Sequence, residues 1–60
     1  MKIVIGNYYM TRGMERILIV DQIRLHDSTI FVDHLGRMYY SDGVPTTSGV
    51  SDDRRIVSEG

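Results

Sequence analysis

There is no cysteine in the 60 residues of this chain. That excludes a disulfide framework and a thiolate zinc site, the usual staples of a domain whose core only just offsets the entropy of ordering its backbone. What remains is a compact core, self-association, or both, in a single domain spanning residues 1–60. Long apolar runs are missing too: none approaches the length that crosses a bilayer, and MKIVIG offers three apolar residues, Ile3 to Ile5, before Gly6. That is too few for the apolar region of a signal peptide. The expectation is a soluble chain in a cytoplasm, with no membrane partner. Lysine is scarce, so six of the seven basic residues are arginine, set against eight Asp and Glu for a net charge of −1. Such a balance does not draw nucleic acid by its overall field, whereas arginine suits bidentate and stacking contacts at interfaces. The glycines stand singly rather than clustered before a helix, which leaves no phosphate-cradling loop, and no Gly-x-Ser-x-Gly elbow occurs. Neither a cofactor nor an enzymatic reaction is expected, because a small barrel fills its interior with side chains and keeps no dry pocket.

Gly6, Gly13, Gly36, Gly43 and Gly49 punctuate the chain at intervals too short for helices of ordinary length, and Val, Ile, Tyr, Phe and Thr fill the stretches between. This is an all-β pattern. The first strand is expected to begin at Ile3 or Tyr8 and to reach Thr11, before a turn TRGM in which Gly13 supplies a positive φ. ERILIVDQIRL follows, and its unbroken run Ile17–Val20 fits a strand covered on both sides or bent at a barrel corner. A helix over Met14–Leu25 would spread Leu18, Ile19 and Ile23 around its whole circumference, which disfavours it. TIFVD is the third strand. HLGR makes a tight hairpin with Gly36 left-handed, and RMYYS is the fourth strand, ended by Asp42-Gly43. Val44–Ser51 reads as a loop or a short irregular edge strand. SDDRRIV reads as one helical turn with Ser51 as N-cap, feeding a last strand through Ile56 and Val57. Five short strands with that turn before the last describe a small SH3-like barrel, whose closure also removes exposed sheet edges.

The order Gly6, Tyr8, Tyr9, Thr11, Arg12, Gly13, then an apolar strand ending in Asp21, then YYSDG and a terminal acidic-plus-IV segment before Ser58-Glu59, resembles small uncharacterised proteins of tailed bacteriophages. Those carry a YYTRDG start, a Y-(T/S)-x-DG middle and a D-L-V-x-E end. This chain inserts Met10 before Thr11 and lacks the Asp before Gly13. The resemblance implies phage origin, expression in a bacterial host and no known enzymatic activity.

His26-Asp27 and Asp33-His34 suggest a metal site at first sight, yet they bracket the third strand roughly 20 Å apart at about 3.3 Å per residue, too far to converge. The tyrosine pairs are more informative. Adjacent strand residues face opposite ways, so each pair sends one ring inward and one outward. Met38 and Tyr40 are expected in the core with Leu18, Val20, Ile30 and Val32, leaving Tyr39 outside beside Arg37. One of Tyr8 and Tyr9 joins it, and the sequence leaves open which. Met10, Met14, Phe31 and Leu35 add apolar residues beyond what so small an interior holds. The candidate partner-binding set is Tyr39, Arg37, Tyr9, Arg12 and Leu35. The expected partner is a host protein, or a second copy of the chain, in a host-takeover or counter-defence role. Nucleic acid is the alternative, because small barrels present arginines and aromatics for stacking, although interspersed acids oppose phosphate binding.

Overall fold

The computed structural model describes residues 2–47 and 49–60; Met1, in the opening segment, and Ser48, in the expected loop, lie outside the described residues. It is all-β. The strands are β1 Tyr8–Thr11, β2 Arg16–Arg24, β3 Thr29–Asp33, β4 Met38–Tyr40 and β5 Ile56–Glu59, with one 3₁₀ turn, Asp52–Arg54, before β5. They form one antiparallel sheet in the order β4-β3-β2-β1-β5, a meander whose last strand returns to pair with the first, curled into an SH3-like half-barrel.

Local chemistry accounts for the boundaries. Ser51 caps the 3₁₀ turn by accepting a hydrogen bond from the Asp53 N–H at 3.2 Å, and Asp52 and Asp53 occupy its first turn, where the backbone dipoles favour negative charge. Gly36 turns the β3–β4 hairpin at φ +82° and Gly43 ends β4 at φ +90°. At the first turn the positive φ falls on Met14, at 69°, and not on Gly13 as expected. Gly13 is needed for closeness instead. Its N–H donates to the Asp53 carbonyl at 2.8 Å, and a Cβ there would lie 3.1 Å from the Asp53 Cβ. Strand β2 bends where its register with β3 shifts between Ile19 and Asp21, leaving Val20 as the extra residue. Such a bulge strengthens twist, which is how one long strand serves both halves of a curled sheet. The two sheet edges meet through the Ile56 N–H, which donates to the Gly43 carbonyl at 3.0 Å.

The core is Ile3, Tyr9, Ile17, Ile19, Phe31, Tyr39 and Ile56. It is the opposite parity from the one expected. Tyr39 and Tyr9 are fully buried, whereas Met38 and Tyr40 are each 44% exposed and Val20 47%. Both β2 and β3 are apolar on both parities, so alternation alone does not choose the inward face. The choice is made by Asp33, which is buried at the end of β3 and takes Tyr39 inward with it.

Tyr9 also fastens the opening segment. Its hydroxyl accepts from the Val4 N–H at 2.7 Å and donates to the Lys2 carbonyl at 3.2 Å, holding Ile3 against the core. Tyr9→Phe is expected to cost about 1 kcal/mol, the net worth of a part-buried hydrogen bond. It should also raise amide exchange at Val4 well above exchange at Ile17. Unaltered protection at Val4 would show that the hydroxyl does not hold this segment.

Candidate functional site

Two groupings of side chains stand out, one inside the barrel and one on its outer face. Inside, the β3–β4 turn is built around Asp33. Its Oδ1 accepts the backbone N–H groups of Leu35 and Arg37, both at 2.9 Å, so the side chain replaces a missing strand partner within the turn. Its Oδ2 accepts the Tyr39 hydroxyl at 2.7 Å and the Arg37 Nε at 3.2 Å. The Arg37 guanidinium reaches on to Glu15 in the β1–β2 turn, Nη2 to Oε1 at 2.6 Å. One buried carboxylate thus ties together two hairpins.

These contacts fix the charges. Burial pushes the Asp33 carboxyl upward, but hydrogen bonds from Tyr39, Arg37 and Leu35, with the Arg37 charge, outweigh it and leave its pKa below the ordinary 3.8. Burial and then the hydrogen bond to ionised Asp33 raise the Tyr39 phenol above its ordinary value. Burial works against the Arg37 charge, yet the hydrogen bond to Glu15 and the nearby negative groups raise its pKa. A general acid or base works best with a pKa near the operating pH, and these shifts run the other way. The network is a structural brace.

The outer face is different. Register places Ile23, Ile30 and Tyr40 side by side across β2, β3 and β4, and Asp21, Val32 and Met38 in the next row. Ile30 is buried although it lies outside the core cluster, because Ile23 and Tyr40 flank it on the solvent side. Val44, whose carbonyl accepts the Tyr40 N–H at 2.8 Å, extends the first row. The sheet therefore has interior-type residues on both faces, and only the inner one is covered. Further along, Arg16 lies over the exposed Tyr8 ring, 4.0 Å from its centroid, a cation–π contact that occupies both groups.

The candidate residues separate accordingly. Tyr39 and Tyr9 point into the core and are corrected as surface contacts, since a ring with no exposed area cannot meet a partner. Arg37 reaches the surface only in part and is committed to Asp33 and Glu15. Arg12 pairs with Asp52, tying the first turn to the 3₁₀ turn. Leu35, 56% exposed at the hairpin tip, is the one member presented freely. Ile23, Ile30, Met38 and Tyr40 are not in the set; the signal for Ile30, Met38 and Tyr40 is the double apolar parity of TIFVD and MYY, and Ile23, between Gln22 and Arg24, is brought beside them by register. His26-Asp27 sits exposed in the β2–β3 turn, away from Asp33-His34 at the other end of β3. His34 accepts the Leu18 N–H at Nδ1, 3.2 Å, and its own N–H donates to the Leu18 carbonyl. No metal-binding group of three or more His, Cys, Asp or Glu, no pocket and no helix long and apolar enough to cross a membrane occur among the described residues. Compared with known proteins, the chain matches no family model, no curated protein and no solved structure.

Proposed function

We propose that this chain is a non-catalytic protein-binding module whose contact surface is the outer face of β2, β3 and β4. The observation that carries the reading is the pair Ile23 and Tyr40, exposed on either side of the buried Ile30, with half-buried Val32 and exposed Met38 in the next row. Contiguous exposed apolar surface on a sheet this small favours a partner, and Tyr and Met are residues that interfaces enrich. A non-catalytic role is supported by the interior network, in which the acid, the phenol and the guanidinium are spent on one another. Nucleic acid ranks lower as a partner, because these outer positions carry Asp21 and neither Lys nor Arg, leaving nothing there to meet phosphate. The resemblance to small tailed-phage proteins makes a protein of the bacterial host cytoplasm, bound in a takeover or counter-defence role, one class of occupant. A second copy is the other.

The test is a double substitution at exposed positions of the face, Ile23→Asp with Tyr40→Asp, used as an immobilised bait against bacterial lysate and against the chain itself. The variant is expected to keep its circular dichroism spectrum and to lose at least ten-fold in bound protein of either kind. Equal retention by the folded variant would remove this face from the proposal.

A further inference from the structure

We infer that His34 is a proton-operated latch, whatever the outer face binds: its imidazole helps to close the seam between β2 and β3 when neutral and lets go when protonated. Register shows why a side chain is needed there. The pairing of β2 with β3 reaches Ile19 opposite Asp33, so Leu18 falls opposite His34. In a continuing antiparallel ladder these two residues would exchange both backbone bonds. One is made, the His34 N–H donating to the Leu18 carbonyl at 2.8 Å. For the other, the chain is already turning about Asp33, and the Leu18 N–H donates to His34 Nδ1 at 3.2 Å instead of to a carbonyl.

The neighbouring pair adds no bond to this end of the seam. Ile19 gives its N–H to the Asn7 carbonyl and its carbonyl to the Gly6 N–H, while Asp33 gives its N–H to the Arg37 carbonyl and its carbonyl to the Gly36 N–H. Beyond them comes the bulge at Val20. The hairpin end of β3 is therefore fastened to β2 by the two Leu18–His34 bonds, one of which passes through the imidazole.

The chemistry of the ring makes that bond conditional. A backbone N–H is a donor, so the nitrogen facing it carries no proton, and the neutral ring holds its proton on Nε2. An imidazolium has N–H on both nitrogens, which sets two donors against each other and ends the bond. Histidine is the side chain whose charge ordinarily changes between about pH 5 and 8. Around it, Arg16 stands two residues before Leu18 on the same strand, Tyr8 lies across from Leu18 in β1, and Asp33, Arg37 and Glu15 are bound to one another about the turn. Among the described residues the one histidine–carboxylate pair is His26 with Asp27, so no ion pair holds a protonated His34 in place. The ring is exposed, and water takes over the freed Leu18 N–H. Asp33, its carboxyl held below the ordinary 3.8, stays ionised in this range and keeps the Leu35 and Arg37 amides. Acidification thus loosens the seam and leaves the turn intact.

Nitrogen NMR of the isotope-labelled full chain tests the latch without any substitution. At about pH 8 the His34 ring should carry its proton on Nε2, with Nδ1 bare. Between about pH 8 and about pH 5 the protection of the Leu18 amide, taken as its exchange relative to an unstructured chain at the same pH, should fall about five-fold, the weight of one net hydrogen bond. The Thr11 amide, which donates to the Glu15 carbonyl, should keep its protection over that range. His34→Ala should show the low Leu18 value at every pH. His34→Asn, whose Oδ1 takes the place of Nδ1 and does not titrate, should keep the high value throughout. If neither variant folds, the ring tautomer and the Leu18 protection of the parent decide the matter. A proton on Nδ1 at the upper pH, Leu18 protection that does not change with pH in the parent, or an equal change in folded His34→Asn overturns the inference.

Discussion

Asp33→Ala is expected to abolish most of the stability of the fold. The substitution removes the acceptor of two turn amides, of the Tyr39 hydroxyl and of the Arg37 Nε at once. It leaves a phenol buried without a partner and a guanidinium held by Glu15 alone. Breaking a buried, hydrogen-bonded charge pair costs about 3–5 kcal/mol. A chain of this length holds roughly 3–9 kcal/mol in all. Urea titration followed by circular dichroism should find the variant largely unfolded or with its midpoint displaced close to zero denaturant. Asp33→Asn keeps the shape and one acceptor oxygen, and should lose about 2 kcal/mol. An alanine variant within 1 kcal/mol of the parent would mean that the turn holds without its carboxylate.

The same residue gives a direction to acid unfolding. Its pKa is lower folded than unfolded, so its contribution to stability is present above the unfolded value of about 3.9 and disappears as pH falls through the lower folded value. Below about pH 4 the parent should lose stability more steeply than Asp33→Asn, in which position 33 no longer titrates. Parallel acid limbs for the two proteins would assign the loss to other carboxylates.

The elements of this fold were legible because turns announce themselves chemically. Gly36, Asp42-Gly43 and Ser51 each stand where a left-handed residue or a cap is required, and strands fill the intervals. The inward face was not legible, because Ile17–Val20 and Ile30–Val32 are apolar at every position and the usual alternation is silent there. Two interior groups also break the rule that would have decided it. Thr11 and Asp33 are polar and buried, Thr11 turning its hydroxyl to accept the Glu15 N–H at 3.1 Å. The general rule that polar residues face solvent would turn that face outward, and with it Tyr39 and Tyr9, which share it with Asp33 and Thr11. The surplus of apolar side chains was visible from composition, but its location depends on the parity that these two residues set.

Gly43→Ala should be the most damaging of the glycine substitutions, and comparison with Gly36→Ala isolates the reason. Both glycines lie at positive φ, +90° and +82°, where an L side chain costs roughly 1 kcal/mol or somewhat more. They differ in surroundings. A Cβ at Gly36 meets nothing within 4 Å, but one at Gly43 would lie 2.9 Å from the Ile56 carbonyl oxygen and 3.1 Å from the Ile56 Cβ. Those atoms belong to the start of β5 and do not yield like the end of a flexible side chain. Relief requires the two sheet edges to part, which breaks the Ile56 N–H bond to the Gly43 carbonyl. The expected loss is about 2–4 kcal/mol for Gly43→Ala against about 1 kcal/mol for Gly36→Ala. At roughly 4–8 °C per kcal/mol in a domain of this size, the first should melt about 8–32 °C below the parent and the second about 4–8 °C below it. Equal shifts would show that the edges separate without cost, and that curling of the sheet is set by the β2 bulge and the core rather than by the Gly43–Ile56 contact.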